Sequence, residues 1–218
     1  MAARSRALMD VAGWEAFVHG VFAIAITLLV LDIRVPPVES TPDGAALVSA
    51  LLADGPRYLA YVLGFMYVGA YWITTHRALR MLRGVDHTFL VIGLVFLMFI
   101  AIIPFVAALL AEYIGKDQQR SEVAVITFIG WQLVLSVLAN VELQYADRRN
   151  LMRPDVDRRA LVLFERIALL APVIWLVAMA AAILVGTPAL VLPALLLVVF
   201  LFEVPGTEQA EPDGESAA

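Results

Sequence analysis

The chain has 218 residues, of which 62% are hydrophobic and 16% charged, against about 25% charged in an ordinary soluble domain. At a mean hydropathy of +0.87 the apolar surface has no place inside a soluble fold, which excludes a soluble enzyme and a disordered chain. The absence of cysteine removes disulfides, thiol redox chemistry and Cys-based zinc sites. The net charge of -5 comes largely from an acidic stretch after Phe202, and it argues against a nucleic-acid partner.

Six apolar runs are read at about 14–33, 57–79, 88–111, 122–143, 161–183 and 188–202, mostly near the length a helix needs to cross a bilayer. Lipid offers backbone groups no outside partner, so helices are expected. The fold class is therefore all-α integral membrane, with six transmembrane helices per subunit over residues 1–203 and a disordered acidic cytoplasmic tail over 204–218. Ten arginines fall on one side of such a six-span chain: Arg4, Arg6, Arg77, Arg80, Arg83, Arg148, Arg149, Arg153, Arg158 and Arg159. The other side holds Arg34, Arg57, Lys116 and Arg120. The positive-inside rule then makes both termini cytoplasmic in a multi-pass protein of the cell membrane.

The first run, WEAFVHGVFAIAITLLVLDIRVP, is followed by Asp32, Arg34 and two prolines, not by a small-residue cleavage site, so a retained helix is expected. At 100° per residue with Ile24 at zero, Phe17, Leu28 and Leu31 fall within about 40° and Thr27 at about -60°. This branched stripe is either a packing seam or a pore lining whose Ile and Leu rings exclude water. Gly20, Ala23 and Ala25 are small enough for close helix approach. His19 lies about 140° from Ile24 and should face neighbouring helices. It is either a pH-sensitive element or a neutral, hydrogen-bonded side chain, with Glu15 one turn earlier as one partner. Asp32, at the outer end, is either part of a charged mouth that concentrates cations or a solvated charge near Arg34.

In the second run Tyr61, Phe65, Val68, Trp72 and His76 recur at helical steps and read as a packing face. Gln132, Ser136, Asn140 and Gln144 make a polar stripe on the fourth. It serves interhelical hydrogen bonding or a water-filled path. Glu142 and Glu165 serve either structural ion pairs, with Arg148, Arg149 and Arg166 as partners, or a proton relay. Pro193 interrupts the last run. No phosphate loop, His-Glu-x-x-His or nucleophile elbow occurs, so no catalytic residue and no cofactor are expected. Three scattered histidines do not by themselves make a metal site.

The run GVFAIAITLLVLDIRVP resembles the first helix of the transmembrane protein 175 family, potassium channels of endosomes, lysosomes and bacteria. YWITTHRAL, with Trp72 and His76, resembles that family's Trp–His pattern, and LVFLMFIAIIPFVAALL is similar to its third helix. The resemblance covers about residues 14–111. It implies a bacterial six-helix subunit that assembles as a homotetramer in the lipid bilayer. First helices line a potassium pore without a Thr-Val-Gly-Tyr-Gly filter. By the same resemblance Ile24, Leu28 and Leu31 form the constriction and Thr27 a hydroxyl layer linked to potassium preference. Phe17, His19, Trp72 and His76 form a cytoplasmic polar cluster, and Asp32 marks the outer mouth. The family opens this helix with Arg, three residues, then Phe-Ser-Asp; here Gly13, Phe17, Val18 and His19 stand there. A family Asn in the third helix is replaced by Gly93. Joint loss of these partners spares the chain an unpaired buried charge. It leaves two readings besides a channel: a non-conducting membrane scaffold and a small secondary transporter.

Overall fold

Every regular element among residues 8–201, which the computed structural model describes, is helical. Arg4, Arg6 and the expected acidic tail lie outside the described residues. Helix α1 runs Val11–Leu28 and tightens into a 3-10 turn, Leu29–Asp32. It is followed by α2 (Gly44–Ala53), α3 (Gly55–Arg80), α4 (His87–Ala101), α5 (Ile103–Tyr113), α6 (Gln118–Arg148), α7 (Arg158–Val185) and α8 (Val191–Leu201).

Four stretches are long and apolar enough to cross a membrane: Val11–Asp32, His87–Tyr113, Gln118–Arg148 and Arg158–Val185. Helix α3 has 26 residues, about 39 Å at 1.5 Å per residue, but its glycines, tyrosines and arginines dilute its apolar character. The sixth run becomes a 3-10 turn, Thr187–Leu190, followed by the 11-residue α8. Pro193 falls in the first turn of α8, where a missing N–H is tolerated.

Two features of the helix layout depart from the sequence reading. The third run is two helices, α4 and α5, broken at Ile102. Pro104 has no N–H to give to Ile100, so the ladder stops there. The Phe99 carbonyl beside the break is taken by the Trp131 indole N–H at 2.9 Å. Helix α2 lies where no element was expected. Its N-cap is Asp43, whose carboxylate accepts the Ala46 N–H at 2.7 Å and satisfies one open donor of the first turn.

Three linkers meet at one end of the bundle. Met9 pairs with Val85 and Leu82 with Met152 as isolated β-bridges. Arg83 N–H donates to the Leu151 carbonyl at 2.9 Å, and Arg153 N–H to that of Met81 at 2.8 Å. The basic segments 77–83 and 148–159 are thereby brought together. Beside them Asp86 caps α4: its carboxylate accepts the Phe89 N–H and the Tyr145 hydroxyl, each at 2.9 Å. We expect Asp86→Ala to cost about 1–2 kcal/mol, as a lost cap does. Thermal unfolding in detergent checks this, with Asp86→Asn losing less.

The core is built between these helices. On α1, Trp14, Val18, Phe22, Ala25 and Leu29 are buried and pack with Val68 of α3 and Phe89, Phe96 and Ile100 of α4. Gly64 lets this seam close, because a Cβ there would stand 2.7 Å from Leu29. A second cluster joins Leu63 and Tyr67 to Phe128, Ile129 and Trp175. The polar stripe of α6 turns inward, with Gln132, Ser136 and Asn140 all buried. Asn140 donates across to the Ala168 carbonyl of α7 at 2.8 Å, the interhelical bonding that lipid favours. Gln132 receives only a backbone contact, from the Tyr71 hydroxyl at 3.2 Å. Its amide, 1% exposed, has no partner among the described residues. The ion pairs expected of Glu142 do not form. Asp147 instead pairs with Arg158, and Arg148 bonds Gln144 at 3.0 Å.

Candidate functional site

Helix α1 has two unlike faces because large apolar residues occupy both sides of its 3.6-residue repeat. One face is the buried seam. On the other, Phe17, Ile24, Leu28 and Leu31 are 49%, 61%, 43% and 73% exposed. Among the described residues the branched stripe thus lies outside the buried seam that α1 makes with α3 and α4. Of the three small residues, Ala25 alone lies in the seam, and Gly20 and Ala23 lie on the open face. Gly13 and Ala16 also lie there, so small residues recur at 13, 16, 20 and 23 beside the bulky stripe. Thr27 borders both sets. Its hydroxyl donates to the Ile24 carbonyl at 2.9 Å, so its oxygen keeps its lone pairs outward. Asp32 ends the 3-10 turn, half-buried, and has no ion pair with Arg34 among the described residues.

The flank of α1 that meets α3 carries a polar cluster. His76 Nδ1 lies 3.3 Å from Glu15 Oε1, and His19 Nε2 lies 3.9 Å from the same oxygen. The two imidazoles are 5.5 Å apart. Trp72 stacks on His76 at 5.6 Å and 15° and touches His19 at 5.9 Å. The structure thus gathers His19, Trp72 and His76 and leaves Phe17 outside: Phe17 points to the open face and stacks on Trp14 at 5.7 Å. Glu15 is the added member. Its position four residues before His19 is the signal that identifies it, since i and i+4 share a helix face.

Gly93 faces a third feature. A Cβ at this position would stand 2.5 Å from the Trp14 ring and 2.8 Å from Glu142 Oε1. The indole and the carboxylate fill the space a larger residue would take, and Trp14 Nε1 has no hydrogen-bond partner among the described residues. Trp14 and Glu142 were not expected here, because the contact links residues distant in sequence.

The arrangement suits water exclusion along the branched stripe and tethering of α1 to α3 through the cluster.

Comparison with known proteins bears on these features. The family model described as endosomal/lysosomal potassium channel TMEM175 matches residues 14–104. A potassium channel of Chamaesiphon minutus is 36% identical over 167 residues, 76% of this chain and 81% of that one. One from Streptomyces collinus is 40% identical over 125 residues, so the chain spans 57% of that relative's length. The crystal structure of a lysosomal potassium-selective channel TMEM175 homologue from Chamaesiphon minutus shares the fold. The TM-score is 0.75 at 31% identity, over 88% of this chain and 96% of that one.

Proposed function

The chain belongs to the TMEM175 family, whose members above are channels and not enzymes, and we propose that it is a potassium-permeable channel in which copies of α1 line a shared pore. The open apolar face of α1 carries this reading. A single subunit offers one such helix, so a pore needs several copies around an axis. Four copies place Ile24, Leu28 and Leu31 in stacked greasy rings where water is held poorly. The small residues at 13, 16, 20 and 23 let neighbouring copies of α1 approach closely. Thr27, with its proton engaged by the backbone, offers a ring of oxygen acceptors, which suits a cation shedding part of its hydration. Asp32 raises cation concentration at the outer mouth. In this reading α3 and α8 join the four long apolar spans to give six crossings. The joined basic linkers then face the cytoplasm together with both termini, in a bacterial plasma membrane.

A second reading, a scaffold that keeps the fold without conducting, is favoured by the replaced positions Gly13, Val18, His19 and Gly93. Potassium flux into liposomes separates the two. We expect flux above protein-free vesicles, and a purified particle with the mass of four subunits. Parent protein that reconstitutes as a tetramer yet passes no potassium would support the scaffold.

A further inference from the structure

We infer that Glu15, His19 and His76 form a binding site for a divalent transition-metal ion of the zinc class, joining α1 to α3. Glu15 Oε1, His19 Nε2 and His76 Nδ1 all lie within 4.8 Å of one another. Ligand atoms around tetrahedral zinc, at about 2.0–2.2 Å from the metal, are about 3.4 Å apart. The Glu15–His76 pair already stands at 3.3 Å and the Glu15–His19 pair at 3.9 Å. Small side-chain rotations close the rest.

Chemistry and surroundings agree with the geometry. Two imidazole nitrogens and one carboxylate oxygen are a zinc-type donor set, whereas calcium and magnesium take oxygen. His19 Nε2 and His76 Nδ1 are buried atoms with no hydrogen-bond partner among the described residues. Each therefore has a lone pair to direct at an ion when the other ring nitrogen carries the proton. Trp72, stacked at 15° on the His76 ring, limits its rotation. The three residues are half-buried. Glu15 and His19, one turn apart on α1, are the arrangement by which helices present two ligands from one face. The expectation of no metal site rested on the separation of His19 and His76 in sequence; packing of α1 on α3 removes that separation.

The inference goes beyond the channel reading and is tested by binding, so a chain that passes no potassium tests it equally well. The protein has three histidines, and His87, the first residue of α4, is the internal control. Untagged full-length protein in detergent is stripped with chelator and titrated with Co2+, followed by the visible bands of the four-coordinate ion, with Zn2+ as competitor. We expect one equivalent per chain, displaced by Zn2+, and a higher Tm with metal, since an ion that binds the folded state stabilises it. His19→Gln and His76→Gln should each weaken binding about tenfold or more, and His87→Gln should not. Unfolding in chelator confirms that each variant folds; if one does not, the other decides. Parent protein that binds no Co2+ or Zn2+ at 1:1 overturns the inference. So does parental affinity in both folded variants.

Discussion

Ile24→Asn should raise potassium flux through reconstituted protein about tenfold or more. In the proposed pore Ile24 is the innermost of the three branched residues of α1, and it is 61% exposed in its own subunit. A ring of isoleucines gives water no hydrogen bonds, so an ion crossing it loses hydration without compensation. An amide in place of a branched alkyl group is favoured in a wet environment by about 0.5–2 kcal/mol per group on the gentler transfer scales. A barrier lowered by about 1.4 kcal/mol already gives a factor of ten in rate. Four amides around the axis act together, so tenfold is the lower end of the expectation. Because residue 24 is exposed in the subunit, the substitution should leave the Tm of the protein within a few degrees of the parent. Vesicles loaded with potassium and read by a potential-sensitive dye measure the effect. Unchanged flux through a conducting parent would remove Ile24 from the permeation path.

How much of this was legible in the sequence depended on whether the signal was local. The two faces of α1 were readable because residues one turn apart share a face, and Phe17, Ile24, Leu28 and Leu31 fall in register. The sequence did not show which face was covered. Trp14, Phe22 and Leu29 are as apolar as Ile24 and Leu31, and only the positions of α3 and α4 tell seam from open face. Pro104 signals the break at Ile102 in the sequence, but the apolar run continues through it and masks the signal. Asp43 before the apolar segment 44–53 is a capping signal for α2, in a stretch too short to count among the six apolar runs. Proximity along the chain suggests arginine partners for Glu142. Arg148 lies about 120° around the helix from it, and Arg149 about 10 Å along the axis, so neither reaches. The Glu15–His19–His76 cluster was half legible: Glu15 and His19 share a face of α1, but His76 reaches them only through tertiary packing.

The Gly93 contact supplies the largest expected stability effect. Restoring the asparagine that the family resemblance places here should destabilise the protein by about 1–3 kcal/mol, the range for overpacking a filled interior. The new Cβ would stand at 2.5 Å from a Trp14 ring carbon and 2.8 Å from Glu142 Oε1, both closer than a Cβ tolerates. Trp14 is hemmed in, buried in the α1 seam and stacked on Phe17, so the ring has little freedom to retreat. Trp14→Leu alone should also destabilise, by about 2–4 kcal/mol, because a large buried ring is replaced by a smaller side chain. Combining the two changes tests the steric account. If indole and glycine are matched, the double variant is more stable than the sum of the single effects by about 1 kcal/mol or more, since contacting residues couple. The asparagine amide would then occupy the volume the indole left and reach the Glu142 carboxylate. Urea unfolding in detergent, followed by tryptophan fluorescence and far-UV circular dichroism, reads all four proteins. Strict additivity would mean that Trp14 and Gly93 do not share the space, and that Trp14 holds α1 against α4 by some other contact. Positive coupling would make Trp14 the residue that closes the gap left at position 93, and so the anchor that fixes the inner end of α1 while its open face stays bare.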